Sequence, residues 1–182
     1  MKKILSVLSI VLILTGCSIG KDMSNTPKKR VETYLNNYQT LDSNVLTKID
    51  SIVNNETLYS DSQKDTYKDL LKKHYQDLTY TIKEETVNGD KATVEVEIEV
   101  NDYTKALASA EAYKVTNEKE FLNENGKLDE SKFIDYKLGL LKSNKERVKY
   151  TIYFSLTKVG DQWTLDDLTN TEEEKILGIY EY

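Results

Sequence analysis

Lys91-Ala92-Thr93-Val94-Glu95-Val96-Glu97-Ile98-Glu99-Val100 decides the fold. Ala92, Val94, Val96, Ile98 and Val100 fall on one side of an extended chain, and Lys91, Thr93, Glu95, Glu97 and Glu99 fall on the other. One face is apolar and one is wet, which is the pattern of a half-buried antiparallel strand. Upstream, Leu78, Tyr80 and Ile82 alternate with Thr79, Thr81 and Lys83. Between the two runs lies Asn88-Gly89-Asp90, where Gly can take a positive φ. Pairing Ile82 with Val96 keeps both on one face. It leaves Asn88-Gly89-Asp90 as a three-residue loop and sets Lys83 opposite Glu95.

A second hairpin follows the same rule. Val148, Tyr150, Ile152, Phe154 and Leu156 alternate with Lys149, Thr151, Tyr153, Ser155 and Thr157. Gly160-Asp161 is a two-residue turn, after which Trp163 and Leu165 continue inward. Tyr80-Thr81-Ile82 recurs as Tyr150-Thr151-Ile152, and the Gly-Asp turns match. Shared hairpin chemistry accounts for these few matches better than duplication does.

Outward from the hairpins the period becomes helical. Thr26-Pro27 starts a helix, with Thr as cap and Pro in the first turn. Val31, Tyr34, Leu35, Tyr38 and Leu41 form its apolar stripe. A second helix starts at Ser43, with Leu46, Ile49, Ile52 and Val53 inward. A third starts near Asp61-Ser62 and carries Tyr67, Leu70, Leu71, His74, Tyr75 and Leu78. Between the hairpins, residues 101–143 break the strand pattern. Asp102 and Asp129 are caps for two helices, and Asn123-Glu124-Asn125-Gly126 is a turn. This insertion reads as a lid or as a long helical connection. A last short helix starts at Asn170 or Thr171, where Glu172, Glu173 and Glu174 suit the positive end of its dipole. The expected fold is α+β, with N-terminal helices packed on a curved antiparallel sheet of two long hairpins.

The N-terminus has its own logic. Met1-Lys2-Lys3 precedes an apolar run of 11 residues, Ile4 to Leu14. The run suits a secretory signal and is too short to span a bilayer, which takes about 20 residues. Leu14-Thr15-Gly16-Cys17 then resembles the lipobox of bacterial lipoproteins. The resemblance implies a diacylglyceryl group on the Cys17 sulfur and cleavage before Cys17. Cys17 is the only cysteine, so no disulfide forms within the chain, and lipidation gives a lone exported thiol its reason. Residues 1–16 are read as signal peptide, 17–26 as lipidated Cys and polar tether, and 27–182 as one α+β domain with its insertion at about 101–143. Membrane contact is expected through the acyl chains on Cys17, on the extracytoplasmic face of the cell membrane.

The full chain carries a net charge of −6, which becomes −8 once Lys2 and Lys3 leave with the leader. Such a domain is a poor partner for nucleic acid.

The helices-first order, the stretch from Thr26-Pro27 through Tyr38, Asn88-Gly89-Asp90-Lys91-Ala92-Thr93-Val94, Gly160-Asp161-Gln162-Trp163-Thr164-Leu165 and the tail Ile176-Leu177-Gly178-Ile179-Tyr180 together resemble one group. These are small Gram-positive lipoproteins with a nuclear-transport-factor-2-like (cystatin-like) domain of unknown function. The resemblance implies a sheet curved around a cone-shaped pocket and assigns no activity. The Gln-x-Val-x-Gly loop of cystatin inhibitors is absent.

Sites of chemistry are sparse. His74 is the only histidine and lies on an apolar stripe, a structural position. No two-His zinc motif, Gly-x-Ser-x-Gly, P-loop or dinucleotide fingerprint occurs, and no cofactor is implied. Glu95, Glu97 and Glu99 make an acidic row, as do Asp61, Asp65 and Asp69; both read as solvated faces. Asn123, Asn125 and Gly126 mimic part of a calcium loop, but the register puts Phe121 and Lys132 at its first and twelfth positions. The expected function is a non-enzymatic module binding a small molecule, peptide or envelope protein through the sheet concavity. Tyr80, Tyr150, Phe154 and Trp163 are its candidate pocket lining, with core packing as their plainer role. The alternatives are a pocket enzyme of isomerase or dehydratase type and a structural component of an envelope complex.

Overall fold

The computed structural model describes residues 25–181, so the signal peptide, the lipobox Leu14 to Cys17 and most of the tether lie outside the described residues. Helices α1 (Pro27–Thr40), α2 (Ser43–Asn55) and α3 (Asp61–Gln76) come first, followed by strands β1 (Thr79–Asn88) and β2 (Lys91–Asn101). The insertion is α4 (Tyr103–Thr116), a short 3₁₀ turn (Glu118–Phe121) and α5 (Glu130–Ser143). Strands β3 (Arg147–Val159) and β4 (Gln162–Leu165) and helix α6 (Asn170–Leu177) complete the described chain. The strands form one antiparallel sheet in the order β1-β2-β3-β4. The fold is thus α+β, with six α-helices and a four-stranded antiparallel sheet among the described residues.

The helix starts are set by short polar side chains that take up free backbone N–H groups. Thr26 accepts from Lys29 N, Asp42 from Val45 N, Asp102 from Lys105 N and Asp129 from Ser131 N and Lys132 N. Ser60–Gln63 and Thr169–Glu172 form complete capping boxes at α3 and α6. In α2 the buried stripe is Val45, Ile49 and Val53, leaving Leu46 and Ile52 half-buried.

The inner face of the sheet reads across the strands in rows. Tyr80, Ile98 and Tyr150 form one, and Ile82, Val96 and Ile152 the next. Ile82 does pair with Val96, but the register expected for the rest of that hairpin is corrected by a bulge at Lys83. Beyond it Glu84 faces Glu95, Glu85 faces Val94 and Asn88 faces Lys91, so the turn is Gly89-Asp90 alone. Lys83 does not oppose Glu95; its ammonium lies 3.4 Å from Glu97. The extra residue turns Glu85 to the helix side, where its Oε2 accepts the Lys28 N–H at 2.7 Å. A strand residue therefore caps the N-terminus of α1.

The main core lies between this inner face and α1, α2, α3 and α6, around Val31, Leu35, Ile49, Leu71, Tyr75 and Phe154. The insertion docks on α3 rather than standing free. Ile134 and Leu138 of α5 pack with Tyr59, and Leu141 packs with Leu70 and Tyr103. Buried Gln63 pins the two helices. Its Nε2 donates to Ser131 O, Ser131 Oγ and Asp135 Oδ1 at 3.0, 3.0 and 2.8 Å, and its Oε1 accepts from Ser60 N at 2.9 Å.

Candidate functional site

The concave face that the sequence suggested as a pocket is packed. Tyr34 meets Phe154 edge-on at 6.0 Å between centroids, Tyr38 at 5.3 Å, and Tyr38 meets Tyr75 at 4.8 Å. This chain of rings fills the space over β3. Phe154 and Tyr150 are core side chains, 0% and 3% exposed. Tyr150 donates from its hydroxyl to Tyr180 O at 3.1 Å. Tyr80 and Trp163 are half-buried at the margins of the same core. Tyr80 donates to Asn36 Oδ1 at 2.8 Å. Trp163 borders a cleft with Arg30 and Tyr34, and Tyr150 borders a different one with Asp102 and Arg147. The four side chains share the inner face without converging on one of these clefts. Cys17 and the lipobox lie outside the described residues.

A walled cavity lies elsewhere, at the end of the sheet remote from the hairpin turns. It encloses about 440 Å³ between the C-terminal half of α3, the β2–α4 junction and the loop from α5 to β3. Leu70 and Tyr103 form its apolar floor. Its charged lining is Asp69, Lys73, Asp77, Lys142, Lys145 and Arg147, completed by Thr66, Asn101 and Asn144.

Its walls are held from behind. Arg147 Nη2 donates to Asp77 O and Glu99 O at 2.9 and 2.7 Å, and its Nε to Glu99 Oε1 at 3.1 Å. Asn144 Nδ2 donates to Asp102 O at 3.0 Å, and Asp102 N to Glu146 O at 2.9 Å. Below the floor His74 is fully buried and lies against Tyr103, the ring centroids 4.8 Å apart and the planes tilted by 32°. Its Nε2 bonds Ile176 O at 2.8 Å, and its Nδ1 faces Asn101 Nδ2 at 3.5 Å. Burial lowers its pKa to about 4. The neutral ring with Nε2–H donating and Nδ1 accepting satisfies both contacts. Burial likewise raises the Tyr103 hydroxyl above its ordinary range. Neither ring presents an ionised group to the cavity near neutral pH.

Sequence reasoning missed this cleft because its lining comes from five separate elements, α3, β2, α4, α5 and β3, and the connections between them. The one local signal was Lys142-Ser143-Asn144-Lys145-Glu146-Arg147, a basic stretch in an acidic chain. In the acidic row on the outer face, Glu97 meets Lys83 and Lys149 at 3.4 and 3.2 Å and Glu99 meets Arg147, while Glu95 faces Glu84. Among the described residues no group of three or more His, Cys, Asp or Glu is placed to hold a metal ion.

Residues 1–18 match the family described as "Prokaryotic membrane lipoprotein lipid attachment site". The match supports a bacterial lipoprotein anchored to a membrane through lipid on Cys17. No helix among the described residues is long and apolar enough to cross a membrane. Neither a curated protein nor a solved structure matches the chain.

Proposed function

We propose that the chain is an extracytoplasmic lipoprotein acting as a non-enzymatic binding module, with its ligand held in the cleft between α3, the β2–α4 junction and the α5–β3 loop. The observation that carries this reading is the cleft itself. Its volume of about 440 Å³ falls in the range of small-molecule sites, roughly 300–1,000 Å³, and polar groups ring an apolar floor. The wall contacts of Arg147 and Asn144 favour a preformed site, which spares ordering cost on binding. A binding role is favoured over turnover because the one histidine is spent on structure and Lys73 pairs with Asp77 at 2.8 Å. Helices on one face of a four-stranded antiparallel sheet also support the nuclear-transport-factor-2-like reading of the domain, with the ligand site moved out of the cone.

The test is native mass spectrometry of protein extracted from its host membrane in neutral detergent. A non-covalent adduct beyond the lipid anchor is expected. Thr66→Trp, at an exposed lining position, should abolish it without lowering the melting temperature. Bare protein, together with no amide shifts at the cleft from small neutral and charged fragments, would overturn the reading.

A further inference from the structure

We infer that this cleft takes an anionic ligand, a phosphate or carboxylate on a small apolar body, arriving from the side away from the anchoring membrane. The inference rests on the binding-module reading above and adds the ligand's class and direction.

The charge argument comes from pairing. Four cations line the cleft, Lys73, Lys142, Lys145 and Arg147, against two carboxylates, Asp69 and Asp77. Lys73 is matched by Asp77 at 2.8 Å, Arg147 by Glu99 at 3.1 Å, and Asp69 by Lys72 at 3.5 Å. Lys142 and Lys145 remain. Both are exposed, and neither has a carboxylate within ion-pair distance among the described residues. The full chain carries −6, so this local positive surplus runs against the overall field. Cations gathered in a cleft with low-dielectric walls focus the potential and draw anions inward. Leu70 and Tyr103 beneath them offer contact area to an apolar body.

The direction comes from topology. Trp163 N donates to Asn25 Oδ1 at 3.0 Å, and Asn25 Nδ2 donates to Asp161 O. The chain therefore enters the domain at the Gly160-Asp161 turn, beside the Gly89-Asp90 turn, where Lys158 N donates to Asp90 O at 2.8 Å. Asn101, in the cleft, closes the opposite end of β2. That strand of 11 residues spans about 35 Å. From Cys17 to Asn25 the chain reaches at most about 28 Å, whatever its conformation. The anchor thus attaches at the turn end; with the domain standing on that end, the cleft opens about three Debye lengths away from it, where headgroup charge is screened. The ligand is accordingly a soluble anion and not a headgroup of the anchoring bilayer.

The lipidated protein, placed in phosphatidylcholine nanodiscs, is titrated with inorganic phosphate, acetate and phenol and followed by amide NMR. Phosphate and acetate should shift Asn101, Tyr103, Asn144, Lys145 and Arg147, with binding weakened by added salt. Lys142→Glu with Lys145→Glu should reduce phosphate affinity about tenfold or more. Lys142→Ala with Lys145→Ala, which adds no repulsion, should give a smaller loss at an unchanged melting temperature. Phenol shifting the cleft while both anions leave it unmoved overturns the anion class but leaves the module standing. No probe reaching the cleft overturns the anion class, and together with bare protein from the host membrane it overturns the module as well. Nanodiscs with half phosphatidylglycerol should give the same phosphate affinity, whereas competition by that lipid overturns the outward direction.

Discussion

Gly178 lies so close to Asn101 that a Cβ on it would sit 2.1 Å from the Asn101 carbonyl oxygen. Its φ is +71°, which closes α6 in the left-handed region. Its own carbonyl accepts from Tyr103 N and Thr104 N at 2.9 and 3.2 Å. One residue thus joins the end of α6 to the end of β2 and the start of α4. Gly178→Ala faces both the positive φ, worth about 1–2 kcal/mol, and a backbone clash that forces the junction apart. A total loss on the order of 3 kcal/mol is expected as a lower urea midpoint at constant slope. An unchanged midpoint would show that the tail does not dock here.

His74, under the same junction, makes the fold sensitive to acid. Its folded pKa is lowered to about 4 from an ordinary 6.5, first by burial and then by nearby Arg147, with the Ile176 carbonyl opposing. Between those values the unfolded chain binds the extra proton and the folded chain does not. The His74 contribution is therefore full above 6.5 and lost as pH falls toward 4, by on the order of 3 kcal/mol. Urea unfolding across this window separates it from the carboxylates when the protein is compared with His74→Gln, which cannot titrate. The variant should be less stable near neutrality and lose less on acidification. Parallel curves would mean that the ring is not held neutral.

The alternation from Ala92 to Val100 and from Val148 to Leu156 made the sheet legible, and short polar residues before apolar stripes made the helix starts legible. The bulge was hidden because Lys83-Glu84-Glu85-Thr86 carries no apolar marker to report which way the chain turns. The site was hidden for a different reason. Tyr150 and Phe154 look the same in sequence whether they line a cavity or fill a core. The side chains that decide between these, Tyr34, Tyr38 and Tyr75, arrive from helices. The cleft depends on the loop after α5 meeting the end of β2, a tertiary juxtaposition with no local period.

Cys17 is expected to hold the protein on the membrane through lipid, since residues 1–18 match the lipid attachment site. Two acyl chains anchor durably where one is marginal. Cys17→Ala should either release the protein from the membrane fraction or leave it unprocessed at its full mass. Fractionation with a gel-shift readout of processing checks this. A variant that is still cut and still membrane-bound would remove lipid as the anchor.

The bulge at Lys83 makes two adjacent glutamates opposite in effect. Glu85 accepts the Lys28 N–H at 2.7 Å, so it satisfies a free donor at the positive end of α1 from another element. Glu84 sits on the outer face directly across from Glu95, a like-charge pair that costs a few tenths of a kcal/mol. Glu85→Ala should therefore destabilise by about 1 kcal/mol, in the range of a lost helix cap. Glu84→Ala should be neutral or slightly stabilising. Glu85→Gln keeps an acceptor without the charge and should fall between the wild type and Glu85→Ala, the gap to wild type shrinking as salt screens the dipole term. Equal effects at Glu84 and Glu85 in denaturant titrations would mean that the strand runs straight through Lys83, with neither glutamate committed to α1.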